Sequence, residues 1–210
     1  MSGASDPLRL AELVCARMSH DLGGTIGTLA GALELADDPS VAAEARVLAN
    51  QAAIELRQRL ELQRATWGPT GGPLDLAALR TLAEGLPHAR RCTINFSALP
   101  EGTTFSPSFA RIVLNLLLLA GDSLNGSGEA TLVGTGTDLV IAITGPRAAW
   151  PSGMAACLAN EAAAWAALRD ARTLQMPLTA LLARALGLRL TMLMPAGLGG
   201  PASPLRLCEV

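Results

Sequence analysis

Apolar residues recur at helical spacing near the start of the chain and predict one long amphipathic helix over residues 8–36. The apolar positions follow one another in steps of three or four and form one stripe, made of Leu10, Val14, Met18, Leu22, Thr25, Leu29 and Leu33. His20 is two residues from Met18 and two from Leu22, so at ~100° per residue its side chain points roughly opposite the stripe. The pattern therefore predicts a histidine on the solvent-facing side of this helix.

Small residues surround that histidine. Gly23, Gly24 and Gly27 follow His20 by three, four and seven residues, and Arg17 precedes it by three, so all four share its side of the helix. Each glycine inside a helix costs roughly 1 kcal/mol relative to alanine, so their grouping on one face calls for a reason. Close approach of another protein's backbone to the imidazole is such a reason. The three glycines are therefore predicted to form a docking surface.

The next apolar pattern predicts a second helix over residues 41–65, after a turn in which Ser40 is a suitable N-cap. Its stripe consists of Val41, Ala45, Leu48, Ala52, Leu56 and Leu60. Two helices joined by a short loop form an antiparallel hairpin, which cannot bury all of its apolar surface alone. We predict a symmetric dimer in which two hairpins form a four-helix bundle. The alternative is that the hairpin packs only on the rest of its own chain.

A glycine- and proline-rich segment at residues 66–73 predicts a linker between two domains, residues 1–66 and 74–210. Beyond the linker, helical and β-rich patterns are mixed. The predicted helices cover residues 75–86, 107–124, 152–168 and 178–186, and the predicted strands cover residues 92–97, 130–135, 139–144, 188–194 and 205–208. Long helices against one mixed sheet make an α/β sandwich. The predicted fold class is therefore α+β, with an N-terminal helical hairpin and a C-terminal α/β sandwich.

The composition removes several classes of chemistry. All sixteen basic residues are arginine and tyrosine is absent, which excludes Schiff-base lysines, a P-loop lysine and phenol catalysts. A net charge of −2 with dispersed arginines argues against nucleic acid as a partner. The widely spaced Cys15, Cys92, Cys157 and Cys208 favour reduced thiols in a cytoplasmic protein. No apolar run reaches the ~20 residues of a membrane-spanning helix, so we expect no membrane partner.

His20 is the candidate catalytic residue. A neutral imidazole is a nucleophile at near-neutral pH and can take a phosphoryl group from an acyl phosphate as an N-phosphoimidazole. Arg17 would offset the negative charge that this adds, and Asp21 would orient the ring or accept its other N–H, directly or through a relayed contact. A lone exposed histidine is more often an ordinary surface residue. The flanking glycines, the arginine and the aspartate together favour the functional interpretation.

The tetrapeptide Ser-His-Asp-Leu at residues 19–22 resembles the phosphoacceptor box of two-component sensor kinases, and the second domain resembles their ATP-binding domain. Residues 111–120 match the start of the kinases' asparagine box. Four residues after Asn115, where the kinases place their magnesium-binding asparagine, this chain has Leu119, which offers no oxygen ligand. Residues 145–150 lack the kinases' Asp-x-Gly-x-Gly motif. The resemblance implies a degenerate ATPase-like domain, and we interpret Asn115 as a capped or core-edge polar residue.

A phosphoacceptor hairpin joined to a degenerate ATPase-like domain resembles the ChpT family of alphaproteobacterial histidine phosphotransferases. The resemblance covers nearly the whole chain and rests more on the order of elements than on motifs. It implies a homodimer whose His20 receives a phosphoryl group from the receiver domain of a hybrid histidine kinase. It further implies that the group passes to the receiver domain of a response regulator, and that Mg²⁺ comes with the receiver, so that the chain needs no cofactor or metal of its own.

Two alternatives stay open from the sequence. An ATP-dependent sensor histidine kinase with a divergent nucleotide site would phosphorylate itself from ATP, although Leu119 argues against it. A non-catalytic dimeric adaptor or anti-sigma-like binder would keep the fold and be indifferent to the change His20→Ala. The other histidine, His88, follows a Leu-Pro pair and is interpreted as a loop or helix-end residue rather than a second phosphoacceptor.

Overall fold

Two long antiparallel helices form the N-terminal part of the molecule. A computed structural model describes residues 5–69, 71–87, 92–194 and 202–210. Helix α1 spans Ser5–Leu35 and helix α2 spans Ala42–Trp67, which confirms the predicted hairpin. Ala32, Ala45 and Ala49 are buried within it, and their small side chains suit a close contact between the two helices.

The turn between the two helices differs from the prediction. Val41, not Ser40, is the residue that precedes α2, and no side chain caps this helix. The hydroxyl and the backbone N–H of Ser40 both donate to the carboxylate of Asp38, at 2.7 and 2.9 Å, and these bonds lower the pKa of Asp38. The predicted N-cap at Ser40 is therefore wrong, because Asp38 holds this serine in a turn before the helix begins.

A mixed sheet and its helices form the C-terminal part of the molecule. Its helices are α3 (Leu76–Ala83), α4 (Pro107–Ser123), α5 (Met154–Ala159), α6 (Glu161–Ala167) and α7 (Gln175–Ala185). Its strands are β1 (Leu74–Asp75), β2 (Cys92–Ala98), β3 (Thr104–Phe105), β4 (Gly128–Gly134), β5 (Asp138–Thr144), β6 (Leu188–Met192) and β7 (Leu205–Glu209). The main sheet has the order β2-β4-β5-β7-β6, in which only β2 and β4 run parallel, and β1 pairs separately with β3.

The core of the second domain lies between the sheet and its helices. On β5, the fully buried Leu139, Ile141 and Ile143 alternate with less buried residues, as in a strand with one covered face. Helix α4 is buried along most of its length, and Ser106 caps it by accepting a hydrogen bond from the N–H of Phe109. One sheet covered by helices, joined to a helical hairpin, confirms the predicted α+β fold class. No helix in the described part of the chain is long and apolar enough to cross a membrane.

The helix predicted over residues 152–168 is in fact two short helices. Asn160 separates α5 from α6 with an extended backbone, at φ −136° and ψ 121°. Its side chain accepts a hydrogen bond from the N–H of Ala162 at 2.8 Å and so caps α6. The alanine-rich pattern predicts helix on both sides and conceals this break, because only one residue departs from it.

Asn115 on α4 connects the end of α2 to the second domain. This side chain is fully buried, and its oxygen accepts from Trp67 Nε1 at 3.2 Å and from Gln175 Nε2 at 2.9 Å. Its amide nitrogen donates to the carbonyl oxygen of Arg111 at 2.8 Å. Arg111 donates in turn to the carbonyl oxygens of Thr66 and Trp67, at 3.0 and 3.3 Å. Asn115 is thus an interior residue rather than a core-edge one, and these bonds fix the hairpin against α4.

Candidate functional site

His20 lies on the outer side of α1 with 75% of its side chain exposed, as predicted. It lines an open cleft of about 1130 Å³ between the hairpin and the second domain. One wall of the cleft is formed by α1 and α2. The opposite wall includes Asp122, Asn125, Arg147, Asp170 and Arg172. The imidazole is therefore open to a partner molecule that enters between the two domains.

Asp21 contacts the imidazole directly. Its Oδ1 lies 3.3 Å from His20 Nδ1, and only 8% of its side chain is exposed. A carboxylate only accepts hydrogen bonds, so this contact favours the ring tautomer with the proton on Nδ1. That tautomer leaves the lone pair on Nε2, the nitrogen on the far side of the ring. The sequence left open a direct or a relayed contact, and the structure has the direct one.

Arg17 lines the same cleft as His20, but its side chain is buried. It is 8% exposed and points inward, where its Nε donates to Asp21 Oδ2 at 2.8 Å. Its Nη1 and Nη2 donate to the two carboxylate oxygens of Asp122 on α4, at 3.2 and 3.0 Å. The side chain is held there because Asp122, in the last turn of α4, supplies a second carboxylate, and its predicted role in offsetting phosphoryl charge stays a prediction.

The charge of Arg17 is already balanced by these neighbours. Burial alone lowers the pKa of Arg17, but the hydrogen bonds and charges of Asp122 and Asp21 outweigh burial and raise it above its ordinary value. The guanidinium therefore stays charged at any working pH. Its position suits the orientation of Asp21 better than direct contact with a phosphoryl group on His20.

Two residues of the site, Arg59 and Asp122, were not identified from the sequence. Arg59 on α2 donates from Nη1 to the backbone oxygen of Asp21 at 2.6 Å and pairs with Glu55 one helical turn away. The sequence signals only that Glu55 and Arg59 are an i, i+4 pair on a helix surface, not that they face α1. Asp122 gave no signal, because it lies 105 residues from Arg17 and the two meet only through packing.

The three glycines form an open surface beside His20. Gly23, Gly24 and Gly27 are exposed, and a Cβ atom built on any of them would have no neighbour within 4 Å in the described structure. Their lack of side chains is therefore not required by packing within this chain. Their role in docking remains a prediction.

The positions that resemble nucleotide-binding residues of kinases are part of the core. Leu119 is 1% exposed, and Asn115 makes the hydrogen bonds described above. Among the described residues, no group of three or more His, Cys, Asp or Glu side chains is placed to hold a metal ion. His88, the other histidine, lies outside the described residues.

Three solved structures that resemble this chain cover between 83% and 99% of it. A bacterial phosphotransferase of known structure is 22% identical, with a TM-score of 0.69 over 99% of this chain and 97% of its own. The cytoplasmic segment of histidine kinase QseC is 15% identical, with a TM-score of 0.37 over 83% of this chain and 96% of its own. Full-length ShkA in complex with AMPPNP is 16% identical, with a TM-score of 0.41 over 93% of this chain and 45% of its own. No curated protein sequence matches the chain significantly.

The likeness to the bacterial phosphotransferase shows that hairpin and sandwich together form one shared fold. The family model "Histidine phosphotransferase C-terminal domain" matches residues 76–196. This segment runs from the start of α3 past the end of β6 and makes up more than half of the chain. The chain belongs to the histidine phosphotransferase family.

Proposed function

We propose that the chain is a phosphorelay histidine phosphotransferase of the ChpT type. In this proposal His20 takes a phosphoryl group from the phosphoaspartate of one receiver domain, in a hybrid histidine kinase, and passes it to the aspartate of a response regulator. The observation that carries the proposal is the exposed imidazole whose Nδ1 faces the Asp21 carboxylate at 3.3 Å. The family match supports phosphotransfer in general.

The transfer step needs little from this chain besides position. The lone pair of His20 Nε2 attacks phosphorus, the bond from phosphorus to the aspartyl oxygen breaks, and the carboxylate of the receiver leaves with the electron pair. Nδ1 keeps its proton, so the phosphorylated ring is positively charged. Asp21 stabilises that charge at close range. We expect Mg²⁺ to arrive with the receiver and to neutralise part of the phosphoryl charge.

Docking of the receiver is assigned to the glycine surface formed by Gly23, Gly24 and Gly27. These residues follow His20 along α1, and the open space beside them lets a partner's backbone come close to the ring. The cleft opens beside the same stretch of helix, and Gly24 and His20 both line it. A receiver loop that carries its aspartate into the cleft would reach Nε2 while the rest of the receiver lies on the glycines.

A second copy of the chain is proposed as the partner of the hairpin's apolar face. Nine of the twelve large apolar residues that are exposed in the described structure belong to the hairpin: Leu8, Ile26, Leu33, Leu35, Val41, Val47, Leu48, Ile54 and Leu60. Such a concentration of exposed apolar residues on one hairpin is typical of an interaction site. Two hairpins packed through these faces would make the four-helix bundle of a homodimer.

The state of the cysteines supports a cytoplasmic location for this proposal. All four cysteines are free, and burial raises the pKa of Cys92 and of Cys157. Free thiols suit a reducing compartment, and these two buried ones are poor nucleophiles.

The decisive experiment follows a labelled phosphoryl group. A receiver domain carrying ³²P on its aspartate is mixed with the protein and with its His20→Gln variant, and ATP alone is offered in parallel. We expect label on the parent from the receiver, none on the variant and none from ATP. Label from ATP would replace the proposal with a kinase. No label from either source, with the fold intact, would leave a non-catalytic adaptor.

A further inference from the structure

A row of alternating charges runs from the second domain to the imidazole. Asp122, in the last turn of α4, binds Arg17, which binds Asp21, which faces His20 Nδ1. Most of each side chain before the imidazole is shielded from water: 24% of Asp122, 9% of Arg17 and 8% of Asp21 is exposed. Shielding of this kind strengthens hydrogen bonds between charged groups and makes their geometry specific.

Asp122 holds the outer edge of the Arg17 guanidinium. Its two oxygens hold Nη1 and Nη2, at 3.2 and 3.0 Å. On the neighbouring edge of the guanidinium, Nε–H donates to Asp21 Oδ2 at 2.8 Å. The other oxygen, Oδ1, is left to face the imidazole.

Removal of the carboxylate at position 122 would change how Arg17 binds Asp21. A guanidinium pairs most favourably with one carboxylate through two parallel N–H···O bonds. Without Asp122, Arg17 can turn and take both oxygens of Asp21 in that way. His20 Nδ1 would then lose its acceptor, and the ring would be free to place its proton on Nε2, the nitrogen that must attack.

We propose that Asp122 is a positioning residue for His20: it fixes Arg17 so that Asp21 keeps one oxygen for Nδ1 and the nucleophilic lone pair stays on Nε2. The expected effect of Asp122 on phosphotransfer rests on the proposed function. Its effect on the tautomer of His20 can be measured in the unphosphorylated protein. Two further charged groups near Asp21 are Arg59, which donates to its backbone oxygen, and Glu55, which pairs with Arg59.

The test compares the ring of His20 in the parent and in Asp122→Asn. The ¹⁵N chemical shifts of the imidazole report which nitrogen carries the proton, and the variant His20→Gln assigns the signals in a chain with two histidines. We expect the parent to show an Nδ1–H tautomer. In Asp122→Asn we expect a mixture shifted toward Nε2–H and a transfer rate from the phosphorylated receiver that is about tenfold lower.

Arg9→Gln is the matched control. Arg9 also joins α1 to the second domain, through the carbonyl oxygens of Leu168 and Arg169 at 3.3 and 2.8 Å, but it takes no part in the row of charges. This variant should keep the parent's tautomer and its transfer rate within about twofold. If both variants slow transfer equally, the contact between domains matters and the position of the ring does not, which contradicts the inference.

A second substitution at position 122 separates the loss of the carboxylate from a general effect of mutation. Asp122→Glu retains a carboxylate for the guanidinium and should keep the Nδ1–H tautomer with a rate within about threefold of the parent. A parent-like tautomer in Asp122→Asn, or a Glu variant as impaired as the Asn variant, would overturn the role of Asp122. A parent that shows the Nδ1–H tautomer but accepts no phosphoryl group would overturn the proposed function and not this inference.

Discussion

Asp21 divides its two carboxylate oxygens between two partners. One oxygen accepts from Arg17 Nε at 2.8 Å, and the other lies 3.3 Å from His20 Nδ1. The ring gains a positive charge when Nε2 is phosphorylated, and a carboxylate next to Nδ1 stabilises that charge more than a neutral group does. In the proposed transfer we therefore expect Asp21 to act electrostatically, and a substitution that keeps its shape should reveal this.

Asp21→Asn keeps the shape of the side chain and removes its charge. Hydrogen bonds to charged groups contribute about 1.5–3 kcal/mol, so we expect single-turnover transfer from the phosphorylated receiver to slow by about ten- to a hundredfold. Binding of the unphosphorylated receiver should not change. Asp37→Asn, in the exposed turn between the helices, serves as the control. A parent-like rate in Asp21→Asn would contradict an electrostatic role.

A second carboxylate, far from the site, predicts a dependence of stability on pH. Asp138 on β5 accepts from Arg206 Nε on β7 at 2.8 Å, and this hydrogen bond and charge hold the pKa of Asp138 below its usual value. A lowered carboxyl pKa stabilises the folded state at pH above the ordinary value, and that contribution is lost as the pH falls through the lowered one.

We expect the difference in thermal midpoint between the parent and Asp138→Asn to decrease at low pH. At pH 7 the thermal midpoint of the parent should exceed that of Asp138→Asn, and at pH 3 the two midpoints should approach each other. Differential scanning calorimetry at both pH values measures this. A difference that stays constant with pH would show that the pair does not act through its charge.

At the scale of the element, α1 carries exposed glycines beside His20 that packing within this chain does not require. Gly27 has open space where a Cβ would stand, so Gly27→Ala should raise the free energy of unfolding by about 1 kcal/mol. Gly27→Leu should also fold, but its side chain would occupy the docking surface and weaken receiver binding by at least about tenfold. Chemical denaturation and isothermal titration calorimetry measure the two effects.

Ala11→Leu is the control for that side chain. Ala11 is exposed and lies nine residues before His20, so at ~100° per residue it is on the opposite side of α1. This variant should bind the receiver as the parent does. Equal binding by Gly27→Leu and the parent would remove the glycines from the docking surface.

Helix α4 is held to α2 and α7 by a polar group, and its loss should affect stability alone. Asn115→Leu would leave the indole N–H of Trp67 without its acceptor. It would also remove one acceptor of the buried Gln175 amide, which keeps its bonds to the backbone oxygen of residue 115 and to Thr179. A buried unsatisfied group costs about 1–3 kcal/mol, so we expect the free energy of unfolding to fall by about that amount. Transfer per folded molecule should be unchanged. A variant of parental stability would contradict the structural role of Asn115.

The elements that the sequence predicts well are those with long periodic patterns. Helices α1, α2 and α4 and strands β4 and β5 repeat apolar residues at helical or strand spacing over seven or more residues. Strands β1 and β3 have two residues each, too few for any period. The break at Asn160 was hidden because the residues around it are uniformly good helix formers.

The candidate site divides in the same way. His20, Asp21 and the glycines follow one another on a single helix, so the helical period places them correctly relative to each other. The side chain of Arg17 points inward because it binds Asp122 on α4, and the helical period of α1 does not predict a contact with another helix. Contacts between elements determine the orientation of such side chains, and local sequence patterns do not predict these contacts.

At the scale of the whole molecule, the apolar face of the hairpin predicts an assembly of two chains. Val47 and Ile54 on α2 are 58% and 51% exposed. The double change Val47→Glu and Ile54→Glu should place four charges in the interface of a dimer and yield monomers of 21.6 kDa in light scattering, where the parent has twice that mass.

Val133→Glu gives the matched control for that change. Val133 is 47% exposed on β4, away from the hairpin, so the same substitution should leave the dimer intact. The thermal midpoint of the parent should also rise with protein concentration, because folding and association are then linked. A monomeric parent would contradict the dimer and leave the hairpin's apolar face to another partner.

The hydrogen bonds between the hairpin and the sandwich have a consequence for the thermodynamics of partner binding. Arg9 and Arg17 hold α1, and Arg111 and Asn115 hold the end of α2. The cleft beside His20 therefore has its shape before any receiver arrives, and little conformational entropy is left to lose on binding. Association should then proceed in one kinetic phase, with a heat-capacity change that matches the buried surface alone.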